Sequence, residues 1–202
     1  MNGAEVTGRL LAAADAIEAA QEDLSAADRA IGDGDHGAGM ARAFAAVRKA
    51  LAEKQPATPA EAFKTAGMAI LFSAGGASGA VFGTYFMGLA KGAGSGELTA
   101  EAFAMALKEG ASAVSARGGA KPGQKTMLDA AFPAAETCSG AETLFDALRR
   151  SAIAAEHGAQ ATIGMIAATG KAKTLGERSI GHIDPGAKSL AIILRAFAGQ
   201  NA

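Results

Sequence analysis

Glycine is the residue that most constrains how this chain can fold, since 27 of its 202 residues are glycine. A glycine inside a helix costs roughly 1 kcal/mol relative to alanine. The rest of the sequence nevertheless favours helices, because about a quarter of it is alanine and only 5% is aromatic. We therefore predict an all-α protein whose glycines lie mainly between helices.

Apolar periodicity and capping residues predict eight helices and no convincing strand. The clearest start is a capping signature made by Thr58, Pro59 and Glu61. The expected helices cover about 5–26, 38–54, 59–72, 78–91, 99–116, 125–136, 142–168 and 187–198. The length fits one domain.

Glycine-rich clusters occupy every second connection between the predicted helices, at 32–39, 74–79, 117–123 and 170–186. In an up-and-down helical array, alternate connections lie at the same end. We therefore expect the four segments to converge on one rim. They also carry the clustered acids, two of the three histidines and several basic residues, which makes that rim the candidate site.

The connection that holds the first cluster contains Asp28, Asp33 and Asp35 within eight residues. Three neighbouring carboxylates repel one another unless a cation neutralises them, and oxygen ligands suit Mg²⁺ or Ca²⁺. An acidic helix-capping loop is the alternative interpretation. An EF-hand is disfavoured, because the glutamate at its twelfth position is missing.

The other clusters combine glycine with basic residues. AGGASG at 74–79 is typical of an anion-binding turn before a helix. The remaining basic and titratable candidates are Arg117, Lys121, Lys125, Lys171, Arg178, His182 and Asp184. Each alone could be a surface charge, but together they favour a metal–polyphosphate site with ATP or ADP.

Charge and cysteine content exclude several classes of protein. The net charge of −1 provides no electrostatic footprint for nucleic acid or anionic lipid. A single cysteine, Cys138, excludes an internal disulfide, and with no signal-peptide pattern it favours a cytoplasmic location. Residues 65–90 carry no charge and could span a bilayer, but the central SAGGASG favours two helices meeting at a turn, without a membrane.

Four segments occur in a recognisable order: IGDGDHG (31–37), GGASGAVFGT (75–84), GGAKPGQKTMLDA (118–130) and GERSIGHIDPGA (176–187). On these segments the chain resembles the nucleotide-binding L subunit of dihydroxyacetone kinase, which is equivalent to the C-terminal domain of single-chain ATP-dependent dihydroxyacetone kinases. The resemblance covers essentially the whole chain. It implies one nucleotide-binding kinase domain over residues 1–202, folded as an eight-helix antiparallel up-and-down barrel with ADP or ATP and two Mg²⁺ at one rim.

The resemblance also implies roles for individual residues. It makes Asp28, Asp33 and Asp35 the magnesium ligands. Nucleotide contacts would come from His36, Gly37, Ala38, Gly39, Ala77, Ser78, Gly118, Met127, Lys171, Asp184, Pro185 and Gly186. The chain departs from the family pattern at Gly39 (usually Asn), at Lys171 (often Arg), and at Lys173 and Thr174 (usually Ser-Tyr). These differences leave open which ketose the enzyme uses and which molecule donates the phosphoryl group.

By this resemblance the chain is a phosphotransferase subunit that passes a phosphoryl group to dihydroxyacetone or a related ketose, such as erythrulose, held on a separate subunit. The donor is either ATP, or ADP that is retained and rephosphorylated by a phosphotransferase-system phosphocarrier. The sequence leaves open whether the chain also forms a homodimer. Two alternatives are a non-catalytic nucleotide-binding regulatory module and an unrelated Mg²⁺-dependent phosphohydrolase.

Overall fold

The structure, a computed structural model, describes residues 1–199. In that range the chain forms nine α-helices, two 3₁₀ helices and no strand, so the all-α prediction is confirmed. The α-helices are α1 (Gly3–Ala19), α2 (Gln21–Ile31), α3 (His36–Lys54), α4 (Pro59–Ser73), α5 (Gly76–Ala93), α6 (Ala100–Gly118), α7 (Leu128–Cys138), α8 (Leu144–Ala161) and α9 (Pro185–Phe197). The 3₁₀ helices are Thr162–Gly164 and Lys171–Ser179.

Eight of the described helices close into a ring in the order α1, α3, α4, α5, α6, α7, α8 and α9, with α9 packed against α1. Short connections join most neighbours in the ring, which makes them antiparallel. The interior is filled by large side chains such as Phe44, Phe82 and Phe103. This arrangement is the expected eight-helix barrel, with α2 as an additional helix packed against α3 and α9.

The first predicted helix is in fact two helices. The backbone leaves the helical conformation at Ala20, where φ is −88° and ψ is 4°, and α2 then continues to Ile31. Neither glycine nor proline marks this bend in the sequence. As a result Asp28 lies buried in the last turns of α2 and not in the following loop.

Two further helix boundaries differ from the predictions. Helix α7 begins at Leu128 and not near 125, because Lys125 has a φ of 59° that a right-handed helix does not allow. Helix α8 ends at Ala161, seven residues before the expected end. The Thr162 hydroxyl donates to the Ala159 carbonyl at 2.6 Å and accepts from the Asp184 N–H at 2.9 Å, which ties the end of α8 to the start of α9.

The uncharged stretch 65–90 is divided between two helices, as expected. Helix α4 ends at Ser73, and Gly75 precedes α5 with a φ of 69°. Over the described residues, no helix combines the length and the apolar character that crossing a bilayer requires.

Candidate functional site

The four glycine-rich connections line one cavity of about 550 Å³ at one end of the barrel. Its walls come from the end of α2 and the start of α3, the α4–α5 turn, the α6–α7 connection, and the segment between α8 and α9. The convergence inferred from the order of the glycine clusters is therefore present in the structure. It follows from the antiparallel ring, which returns every second connection to the same end.

Three carboxylates lie together on one wall of the cavity. One oxygen each from Asp28, Asp33 and Asp35 lies within 4.8 Å of the others. Asp28 is buried, whereas Asp33 and Asp35 are exposed. Three carboxylate oxygens on one wall, with no sulfur or nitrogen ligand among them, fit a hard divalent cation such as Mg²⁺.

The loop between α2 and α3 is shaped so that its carboxylates can meet. Gly34 has a φ of 81°, and a Cβ added at Gly32 would lie 2.3 Å from Asp28 Oδ1. A side chain at position 32 would therefore displace the Asp28 carboxylate. The Lys171 ammonium forms an ion pair with Asp33, which lowers the pKa of Asp33 and raises the pKa of Lys171.

The α4–α5 turn presents backbone N–H groups to the same cavity. Gly75 and Gly76 both have positive φ, and no side chain caps the first turn of α5. Free N–H groups at a helix N-terminus form a binding site for anions. Two arginines line the cavity nearby: Arg42 donates to the Ala74 carbonyl at 3.3 Å, and Arg117 donates to the Thr84 hydroxyl at 3.1 Å.

His36 connects three of the elements around the cavity. Its Nδ1 lies 2.9 Å from Ser78 Oγ on α5, and its Nε2 lies 2.8 Å from Ser189 Oγ on α9. Its backbone N–H donates to Asp28 Oδ2 at 3.2 Å. Burial lowers the pKa of His36, which favours the neutral imidazole.

The α6–α7 connection is held by a carboxylate that sequence reasoning missed. The Asp129 carboxylate accepts from the backbone N–H groups of Gly123 and Thr126, the latter at 2.7 Å. The Thr126-x-x-Asp129 spacing, typical of a capping box, is the signal that could have identified it.

The sequence made Lys125 a candidate for contacting phosphate, but its ammonium group is not free to do so. Its side chain is buried, and its ammonium donates to the carbonyls of Thr162 and His182. Burial also lowers the pKa of Lys125. This residue therefore holds the α6–α7 connection against the segment that follows α8.

Asp184 begins the last helix at the edge of the cavity. Its Oδ2 accepts from the Ala187 N–H at 2.7 Å, and burial raises the pKa of Asp184 to about 7. Pro185 at the first helical position continues the capping arrangement.

Most residues to which the resemblance gave a role line the cavity: Asp28, Asp33, Asp35, His36, Gly39, Ala77, Ser78, Gly118, Met127, Lys171, Asp184, Pro185 and Gly186. Gly37 and Ala38 do not line it. A Cβ at Gly37 would lie 2.1 Å from the Gln21 carbonyl oxygen, so this glycine allows α3 to pack closely on α2. The basic candidates Lys121, Arg178 and His182 are exposed and lie outside the cavity lining.

Comparison with known proteins identifies similar sequences over nearly the whole chain. The DAK2 domain matches residues 30–199. The ADP-binding subunit DhaL of PEP-dependent dihydroxyacetone kinase 1 from Listeria innocua is 41% identical over 174 residues, which cover 86% of this chain and 84% of that protein. The corresponding DhaL subunit from Escherichia coli is 39% identical over 203 residues, covering 96% of this chain and 95% of that protein.

A solved structure shares the fold. The dihydroxyacetone kinase from C. freundii, in complex with AMP-PNP and Mg²⁺, superposes with a TM-score of 0.72 at 27% identity. The match covers 98% of this chain and 34% of the C. freundii chain, so this chain spans about a third of that longer protein.

Proposed function

The chain belongs to the DAK2 domain family, and from this premise we propose that it is the nucleotide-binding subunit of a dihydroxyacetone-type kinase. The observation that carries the proposal is the shared cavity. A cluster of three carboxylates and an uncapped helix N-terminus line the same space. This combination suits a divalent cation bound together with the phosphates of a nucleotide.

In this proposal Asp28, Asp33 and Asp35 hold two Mg²⁺ ions. Magnesium supplies positive charge that offsets the charge of the phosphate oxygens during phosphoryl transfer. The buried position of Asp28 supports its role, because a buried carboxylate is costly without a cation or several hydrogen bonds. Lys171, which pairs with Asp33, would add a further positive charge beside the phosphates.

The nucleotide phosphates would lie at Ala77 and Ser78, where the backbone N–H groups of the first turn of α5 are free. Gly118 and Met127 would border the adenine, and the apolar side chain of Val114 supports that position. We favour ADP as the bound nucleotide, because both DhaL relatives are named as ADP-binding subunits of PEP-dependent kinases. The retained ADP would be rephosphorylated by a phosphocarrier protein.

The acceptor ketose would be held by a separate subunit. His36 is buried with both ring nitrogens in hydrogen bonds, so it is not free to act as a base towards an acceptor hydroxyl. Large exposed apolar side chains occur on segments that border the cavity: Phe72 at the end of α4 is 83% exposed, and Ile166 and Ile180 are also exposed. These side chains fit a surface on which the ketose-binding subunit docks.

Calorimetric titration of ADP in the presence of Mg²⁺ tests the nucleotide site. Asp33→Ala and Asp35→Ala should each abolish measurable Mg²⁺-dependent binding, because the phosphates and carboxylates bind the same cations. Asp15→Ala is the matched control, since Asp15 is exposed on α1 and pairs with Arg48. Unchanged ADP affinity in both site variants would contradict the proposal.

Reconstitution tests the reaction. The chain is mixed with a dihydroxyacetone-binding kinase subunit, dihydroxyacetone or erythrulose, and either ATP or PEP with phosphotransferase-system carrier proteins. Sugar phosphate should form only when all components are present. No transfer from either donor would favour the regulatory module, and steady phosphate release without the partner would favour the phosphohydrolase.

The docking surface is tested in the same assay. Phe72→Ser should raise the concentration of partner subunit needed for half-maximal rate while leaving ADP affinity unchanged. Phe145→Ser is the control, because Phe145 is 70% exposed at the start of α8, at the other end of the barrel. Equal effects of the two substitutions would argue against docking at the cavity.

A further inference from the structure

Ser189 is a buried residue of α9 to which no sequence motif drew attention. Its side chain has 0% exposure, and its hydroxyl lies 2.8 Å from His36 Nε2. Within residues 1–199 this is the one hydrogen bond of the Ser189 side chain. A buried hydroxyl without a partner is destabilising, so Ser189 and His36 depend on each other for their hydrogen bonding.

The His36 imidazole is held between α5 and α9. Its Nε2 lies 2.8 Å from Ser189 Oγ on α9, and its Nδ1 lies 2.9 Å from Ser78 Oγ on α5. One nitrogen of a neutral imidazole donates and the other accepts, and a serine hydroxyl can do either. The two contacts therefore fix the orientation of the ring between the two helices.

The turn that contains Ser78 has few other restraints. Gly75 and Gly76 both have positive φ, and a Cβ added at either would meet no atom within 4 Å. No side chain caps the first turn of α5. Other hydrogen bonds of the turn run from the Ala74 N–H to the Ile70 carbonyl at 3.1 Å, from the Gly79 N–H to the Gly75 carbonyl at 3.3 Å, and from Arg42 to the Ala74 carbonyl. The contact with His36 is the hydrogen bond by which a side chain of the first turn of α5, that of Ser78, is tied to another helix.

We propose that Ser189 is a positioning residue that orients the His36 imidazole and thereby fixes the first turn of α5 relative to the Asp28 carboxylate. His36 is the common element, because its backbone N–H also donates to Asp28 Oδ2. Ser189 thus acts on the spacing between the cation side and the phosphate side of the cavity without touching a ligand. This inference rests on the proposed function and adds to it a residue that tunes nucleotide affinity.

Ser189→Ala tests the inference in a calorimetric titration of ADP with Mg²⁺. Affinity should fall about three- to tenfold, the size expected for losing one positioning hydrogen bond. Ser151→Ala is the matched control, because Ser151 is also 0% exposed and its hydroxyl donates to the Leu148 carbonyl within α8. Both variants should lose thermal stability, but only Ser189→Ala should lose ADP affinity. Equal ADP affinity in wild type and Ser189→Ala would overturn the proposal.

A double-mutant cycle separates positioning from a general structural effect. In a Ser78→Ala background, Ser189→Ala should cause little further loss of ADP affinity, because the link it supports is already gone. Full additivity of the two losses would overturn the proposal.

A measurement on the wild-type protein does not depend on variants that fold. Nitrogen NMR of the His36 ring should show a single tautomer, because both ring nitrogens are held by serine hydroxyls. A ring that exchanges between the two tautomers would overturn the proposal. A wild-type chain that binds no ADP would refute the proposed function itself, whereas wild-type binding that Ser189→Ala leaves intact would refute only the role of Ser189.

Discussion

The packing of α5 against α6 leads to a quantitative stability prediction at Gly88. A Cβ added at Gly88 would lie 2.6 Å from the Gly110 Cα and 2.7 Å from the Glu109 carbonyl oxygen. Both are backbone atoms of α6, so no side-chain rotation relieves the contact. Substitution with alanine therefore requires the two helices to move apart.

Two opposing terms determine the size of the effect. Alanine gains about 1 kcal/mol over glycine from helix propensity. Overpacking a tight site costs about 1–3 kcal/mol, and more when the backbone must move. Because this cost outweighs the gain in propensity, we expect Gly88→Ala to lower the free energy of unfolding by about 1–2 kcal/mol. For a chain of this size that corresponds to a Tm lower by about 2–8 °C.

Gly8 provides the control. It lies in α1, and a Cβ there would meet no atom within 4 Å. Gly8→Ala should therefore raise stability by about 0.5–1 kcal/mol through propensity alone. Urea unfolding followed by circular dichroism measures both variants. If Gly88→Ala were as stabilising as Gly8→Ala, close backbone packing at the α5–α6 contact would be refuted.

Three further predictions concern pH, capping and charge. Burial raises the pKa of Asp184 to about 7, so the stability contributed by its protonated form is lost as pH rises through about 7. Asp184→Asn should flatten this part of the pH dependence of the free energy of unfolding, measured with urea from about pH 5 to pH 8. The same pH dependence in the variant and the wild type would count against the burial effect. Thr58→Ala removes the hydroxyl that accepts from the Glu61 N–H at 3.2 Å and should cost about 1 kcal/mol in the same assay, whereas a cost near zero would mean that the cap contributes nothing. Lys171→Met should weaken ADP binding about two- to fivefold and reduce the salt dependence of that binding, because Lys171 is an exposed cation beside the carboxylates. Equal salt dependence in the variant and the wild type would exclude a contact between Lys171 and the phosphates.

Several features of the fold could be predicted because they depend on residues within one helical turn. Thr58, Pro59 and Glu61 form the predicted capping box, and the structure contains both of its hydrogen bonds. The alternation of glycine-rich and ordinary connections also indicated that four segments meet at one end. That step needed only the up-and-down order of an antiparallel array.

Other features depend on partners far away in the sequence. The prediction that the glycines lie mainly between helices is wrong, because 14 of the 27 fall within the bounds of the nine α-helices in residues 1–199. Among these, Gly83 lies against Leu71 of α4 and Gly88 against Gly110 of α6. At these positions glycine allows two helices to approach closely, and no local pattern distinguishes them from flexible sites.

The sequence by itself determined the all-α class, the main helix starts and the four segments of the site. Tertiary structure alone decided the bend at Ala20, the buried position of Asp28 and the partnership of His36 with Ser189 across 153 residues. The physical reason is the distance along the sequence over which each interaction acts. Caps and periodicity act within a few residues of one another, whereas burial, close helix packing and long-range hydrogen bonds exist only once the ring of helices has closed.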